Sequence, residues 1–214
     1  MTGKGKYLSG GFGVNASTIA PRVTAETTEG TIRVHESLTS YSAIVFGSLK
    51  VDDLSIRAKA MYGQNTSHMQ QPTGFGIVGH RNNGYAPNGY LAANVVNEYD
   101  AMQLGSAWIT MMYGKKVRYG FFAGWMKNFG TADMEYISTP VVRNNTGMDQ
   151  AYRFSPIVTY KVQNMTLGLE YEHTATAYGE YKQSAGVGRV TDGTIINTHW
   201  VANNRVCFML KYDF

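Results

Sequence analysis

Glu170 and Glu172 are the side chains in this chain best spaced to do chemistry together. Two positions apart on an extended strand, they point to one face at about 7 Å, a separation at which paired carboxylates can cleave a glycosidic bond. Neither a substrate-stacking aromatic nor another acid accompanies them, and carboxylates on a strand ordinarily find basic neighbours. Counting out from the Gln163-Asn164 turn puts Glu172 opposite Ser155 and diagonal to Arg153, so the expectation is a bracing ion pair. His35, His68, His80, His173 and His199 form no HExxH or i, i+2 pair that would build a metal site, and no G-x-S-x-G frame is present. GGFG at 10–13 and GVG at 186–188 lack a strand-to-helix setting for phosphate. No catalytic residue, metal or cofactor is expected.

The elements that carry these residues read as strands. The chain has 214 residues with 24 Gly, 15 Tyr and only 5 Pro, a balance that suits strands and turns. No apolar run approaches the roughly 18 residues of a helical span, so a membrane role would run through strands, whose two faces average to a modest hydropathy. A mean hydropathy of −0.25 permits that. Cys207 is the only cysteine, which excludes an intrachain disulfide. A net charge of +4 without a basic and aromatic stripe does not point to nucleic acid. MTGKGKYLSGGFGV has no apolar core of a secretory signal, so the expectation is the C-terminal portion of a longer exported protein, with a signal replaced by a start Met as the alternative.

The final residues, RVCFMLKYDF, alternate without a break. Val206, Phe208, Leu210, Tyr212 and Phe214 share one face, and Arg205, Cys207, Met209, Lys211 and Asp213 the other. Val51-Asp52-Asp53-Leu54 and Val162-Gln163-Asn164-Met165 read as two-residue hairpins whose flanking residues match in polarity; Gly114-Lys115-Lys116 reads as a three-residue turn from Tyr113 to Val117. Long polar connections at 23–31, 64–98, 130–149 and 179–198 separate eight strands near 6–22, 32–51, 54–64, 99–113, 117–129, 151–162, 165–178 and 199–214. Short turns at one end and long loops at the other is the asymmetry of outer-membrane barrels.

Depth adds a second pattern. Tyr113, Tyr119, Tyr160, Tyr212 and Phe214 gather near the tight turns, and Tyr62, Trp125, Tyr152, Phe154 and Trp200 at the far end. Ile109, Met111, Val158, Leu167, Leu169, Phe208 and Leu210 fall between them, as interfacial aromatics and a lipid-facing aliphatic band would. The opposite face carries Lys50, Arg57, Lys59, Arg118, Arg153, Lys161, Arg205 and Lys211 against Glu170, Glu172 and Asp213. Two readings stand for this basic wall: a solvated surface braced by charge pairs, or a pore lining that favours anions. Trp108 and Phe122 share that face beside Gly120 and Gly124, where rings shield bare backbone or stack a sugar.

The stretches YGKKVRYGFFAGWMKNFGT (113–131), YRFSPIVTYKV (152–162), LGLEYEHTATAYG (167–179) and VANNRVCFMLKYDF (201–214) resemble the porin-like outer-membrane proteins of Bacteroidota. The resemblance covers the second half of the chain firmly and the first half loosely. It implies a closed antiparallel barrel in the outer membrane, passive passage of small hydrophilic solutes, and a terminal strand (Val206, Phe208, Leu210, Tyr212, Phe214) read by the barrel insertion machinery. The expected fold is therefore an all-β, antiparallel transmembrane barrel with about eight strands here, residues 1–214 forming a single barrel domain or the C-terminal part of a larger one. Outer-membrane lipid is the expected surroundings, and self-association stays open. The alternative is a compact eight-stranded barrel with a plugged interior, acting as a structural or loop-mediated binding protein. The loop at 66–98 either folds inward as a constriction or lies on the surface.

Overall fold

The computed structural model describes residues 7–27, 30–66, 73–81, 84–85, 91–92, 96–131, 140–142, 147–183 and 190–213. Eight long strands form one sheet: β1 (Tyr7–Ile19), β2 (Leu38–Val51), β3 (Leu54–Gln64), β4 (Gln103–Gly114), β5 (Val117–Gly130), β6 (Met148–Val162), β7 (Met165–Gln183) and β8 (Val190–Tyr212). They neighbour one another in chain order and every pair is antiparallel, an up-and-down meander. No ladder joins β1 to β8, so the sheet is open where a closed barrel was expected. Each edge strand has a single neighbour, which leaves half of its backbone hydrogen-bonding groups without a ladder partner.

The tight ends follow from turn chemistry. Val51 pairs with Leu54 and Val162 with Met165 across two-residue turns, and the first loop residue of each, Asp52 and Gln163, takes a φ of +50°. The third turn is displaced from the expected position. Tyr113 pairs with Tyr119 and Gly114 with Arg118, so the loop is Lys115-Lys116-Val117. Gly114 has a φ of +118°, and a Cβ there would meet the Val117 carbonyl at 2.2 Å, so glycine closes the ladder one position later than polarity matching suggested. The displacement moves the register by two residues, so every side chain keeps its face.

The long connections hold more structure than their composition suggests. Thr24–Thr27 and Gly30–Arg33 form a hairpin, and Gly74–Arg81 pairs with Val96–Ala101 and with Pro140–Val142. The expected loop at 179–198 is mostly strand: β7 and β8 continue through Tyr181↔Ile195 and Gln183↔Val190 past two register shifts. β-formers such as Tyr181, Ile195 and Ile196 extend the ladder, and the bulges absorb the glycines that looked like loop. This extension leans over the end of β5, where Asn128 Nδ2 donates to the Gly193 carbonyl at 3.4 Å.

The best-buried residues gather at this long-loop end. Leu38, Phe75 and Ala101 form a cluster with Ile19 and Tyr99 packed against it, and Met102 and Leu104 are fully enclosed nearby. Met102 bridges the loop to the sheet: its N–H donates to the Gly74 carbonyl, and its carbonyl accepts from Asn65 N–H and Thr73 Oγ1. Ile19, Leu38, Ser40, Met61 and Leu104 all lie on the sheet's polar face. The described part of the 66–98 loop therefore packs over that face at its far end, and residues 67–72, 82–83, 86–90 and 93–95 lie outside the described residues.

Candidate pore wall

The ladders determine which side chains share a face. Lys50 and Arg57 stand opposite Ser55 and Thr110, and Lys59 opposite Trp108; Arg118 faces Thr159 and Arg153 faces Gly124. Lys161 faces Thr166, which faces Lys211; Glu170 faces Cys207 and Glu172 faces Arg205. All ten residues expected on the wall thus lie on one face of the sheet. The other face is apolar across all eight strands, through rows such as Leu8↔Leu49↔Ile56↔Met111↔Phe121↔Pro156. Phe12 is 84% exposed and Phe208 71%, so nothing else in the described chain covers this face.

Aromatics end the apolar band at both heights. Tyr113, Tyr119, Tyr160 and Tyr212 are exposed toward the tight turns, and Tyr41, Tyr62, Trp125, Tyr152 and Trp200 toward the far end, with Tyr152 and Trp200 rings 5.4 Å apart. Tyr152 to Tyr160 on β6 and Trp200 to Tyr212 on β8 span about 27 and 41 Å along the strand, about 20 and 30 Å along the normal at a tilt of about 40°. Just past Trp125, Lys127 pairs with Asp149 at 2.5 Å, a charged pair where the apolar band stops. Inside the band His173, Asn204 and the Tyr171 and Tyr152 hydroxyls bond to one another at 2.7–3.2 Å, which satisfies polar groups that would otherwise be costly on an apolar surface. Val206, Phe208, Leu210 and Tyr212 continue the apolar face; Phe214 lies outside the described residues.

The polar face divides electrostatically. Glu172 sits between Arg153 and Arg205, accepting from Arg205 Nη2 at 2.6 Å and from Arg153 at closer range, and Arg153 Nη2 lies 3.5 Å from Glu170. The two carboxylates are thereby bracing groups, and the Glu172–Arg153 pair is the one that counting from the turn predicts. Lys211 pairs with Asp213 at 2.6 Å. Lys50, Arg57, Lys59 and Arg118 make no ion pair among the described residues. The β6–β8 side of the wall is therefore near neutral, whereas β2–β5 carries four uncompensated cations. Rings and thioethers cover the wall glycines: Phe46 lies over Gly11, Phe122 over Gly124 and Met112 over Gly120. Among the described residues no group of His, Cys, Asp and Glu is arranged to hold a metal ion.

A second polar site escaped the sequence reading. Glu36, between β1 and β2, has a fully buried side chain held by Arg22 (Nε 2.9 Å to both oxygens, Nη2 2.6 Å to Oε1), Tyr99 Oη at 2.5 Å and Asn97 N–H at 2.7 Å. It ties the β1–β2 connection to Val96–Ala101. Burial alone would raise its pKa; the Arg22, Tyr99 and Asn97 donors outweigh that and hold it below the ordinary glutamate range. The sequence signal was phase: Val34, Glu36, Leu38 and Ser40 are successive buried positions of one alternating run, so a carboxylate occupies an inward slot. A folded pKa below the unfolded one means that Glu36 stabilises the rim fully above the ordinary glutamate range, and that this is lost as pH falls through its lowered folded value. Glu36→Ala should cost about 3 kcal/mol by stranding its donors. Hydrogen exchange at 96–101 measures this; protection unchanged by the substitution and by pH would remove Glu36 as the clasp.

Comparison with known proteins returned no matching family model, curated protein or solved structure.

Proposed function

We propose that this chain forms wall of an outer-membrane β-barrel through which small hydrophilic solutes diffuse, with a mild preference for anions. The observation that carries the reading is the two-sided sheet: eight antiparallel strands with one face apolar and aromatic-belted over its whole width, and the other charged. A soluble sheet that leaves its apolar face uncovered pays for the exposure, whereas lipid makes it favourable. Charges on the opposite wall are tolerated where water reaches them. The open edges fit a sheet that further strands complete, as expected for the C-terminal part of a longer Bacteroidota porin-like barrel in a Gram-negative outer membrane. The alternating row from Val206 to Tyr212 is a suitable grip for insertion machinery that captures an edge strand.

The strand count favours one other reading, because eight strands closed on themselves leave an interior that side chains fill. The loop packed over the polar face at Leu38 and Leu104 suits such a plugged barrel. Planar-bilayer recording of the complete protein separates the two. The pore reading expects stepwise, ohmic conductance; a protein that inserts, resists protease and conducts nothing would be the plugged form.

A further inference from the structure

The polar face holds a cavity of about 280 Å³ across β4, β5, β6 and β7 whose lining includes Ser106, Trp108, Phe122, Met126, Arg153 and Thr174. Gly124, directly opposite Trp108, forms its floor. Trp108 and Phe122 rings lie 6.2 Å apart, tilted by 31°, and the Arg153 guanidinium stands 5.6 Å from the Phe122 centroid. Backbone shielding accounts for Phe122, whose ring lies on Gly124. It does not account for Trp108, because the nearest Trp108 atom to a Cβ built on Gly124 is its own Cβ at 3.5 Å, not the indole. The indole is a large, partly buried ring that shares the charged wall with Phe122 and Met126.

Charge narrows what the rings would hold. Arg153 is committed to Glu170 and Glu172, so it serves as a wall and not as an anion receptor. Lys59 does not line this cavity but stands directly opposite Trp108 on β3, one strand spacing of about 4.8 Å away on the other side of the indole's strand, and makes no ion pair among the described residues. An indole whose ladder partner is a lysine without an ion pair matches one class of solute.

We propose that Trp108, Phe122 and Lys59 form a binding subsite for a six-membered ring bearing a carboxylate, the ring stacked on Trp108 and the carboxylate on the Lys59 ammonium. Stacking supplies contact area and the ammonium supplies orientation, so neither a bare ring nor a bare anion satisfies both. A uronic acid and an aromatic acid share this chemistry. The Thr174 hydroxyl in the cavity lining donates to Glu172 and leaves its oxygen as an acceptor for a hydroxylated ring. The proposal rests on the polar face being open to water, as the pore reading holds.

The test is tryptophan emission of the full chain folded in detergent micelles, titrated with sodium glucuronate and sodium benzoate, with glucose and sodium acetate as half-ligands. A saturable change with glucuronate, benzoate or both is expected, the responding acid identifying the sugar or the aromatic source, and glucose and acetate should be at least about tenfold weaker. Lys59→Gln should raise the Kd about fivefold and Phe122→Ala about fivefold, each leaving the Trp108 reporter in place. No saturable response to either ring acid, or a response matched by acetate, overturns the proposal on the unmodified chain. Because emission needs no ion flow, a protein that binds but does not conduct keeps the subsite and loses the pore. One that conducts but does not bind does the reverse.

Discussion

Replacing Phe208 by arginine should remove about 2 to 4 kcal/mol of stability from the protein folded in a bilayer, whereas arginine at the adjacent Cys207 should cost less than about 1 kcal/mol. The two residues are at one depth and differ only in face: Phe208 pairs with Leu169 in the apolar band, and Cys207 with Glu170 on the charged wall. A guanidinium at Phe208 must leave water or deform the lipid around it, whereas at Cys207 it meets a carboxylate. Leu169→Arg and Leu210→Arg should behave like Phe208→Arg. Thr166, at first sight another wall control, is a poor one because it lies between Lys161 and Lys211, where a third cation is repelled. Denaturant midpoints of protein refolded into lipid vesicles measure the difference; equal losses at 207 and 208 would show that lipid does not meet the apolar face.

The second large effect is on selectivity. Changing Arg57, Lys59 and Arg118 together to glutamine removes three of the four cations of β2–β5 that make no ion pair among the described residues, and the reversal potential in a salt gradient should swing from anion preference to none or to cation preference. Changing Arg153 and Glu172 together to glutamine removes one charge of each sign and should leave the potential where it was. Charge counting along the sequence treats all eight basic wall residues alike; the ion pairs show that Arg153, Arg205 and Lys211 are already answered. A swing produced by the paired substitution, with none from the triple one, would put the ion path along β6–β8 instead.

What the sequence disclosed and what it withheld divide along the range of the forces involved. Hairpins closed by Asp52-Asp53 and Gln163-Asn164 are local, and the matched polarity of their flanks sets register for entire strands, which is why the faces of Arg57, Glu172 and Leu210 were legible. Glu172 bracing by Arg153 follows from that register alone. The phase of Glu36 was legible but its partners were not, since its donors stand 14 and 61 to 63 residues away and meet it only once the rim has packed. The β7–β8 extension was hidden because glycine and polar residues near 179–193 carry no alternation, and their ladder depends on bulges. Closure was beyond reach for a different reason: edge strands pair by backbone, which every sequence possesses, so β1 and β8 bear no side-chain mark of what completes them.

The alternation of short and long connections also sets the order in which the sheet can assemble. β2–β3, β4–β5 and β6–β7 each zip from a two- or three-residue turn, on the microsecond scale of isolated hairpins. Joining β3 to β4 means closing residues 65–102, 38 in all, and loop entropy makes that encounter about 2.5 kcal/mol less favourable than closing a two-residue turn. The hairpin is thus the unit that forms first, and the slow step is lateral docking of hairpins already made. The rim packing of Met102 with Gly74 and Thr73 shortens the effective length of that longest connection. A segment that resembles decoration at the top of the sheet therefore also acts on the rate at which its two halves meet.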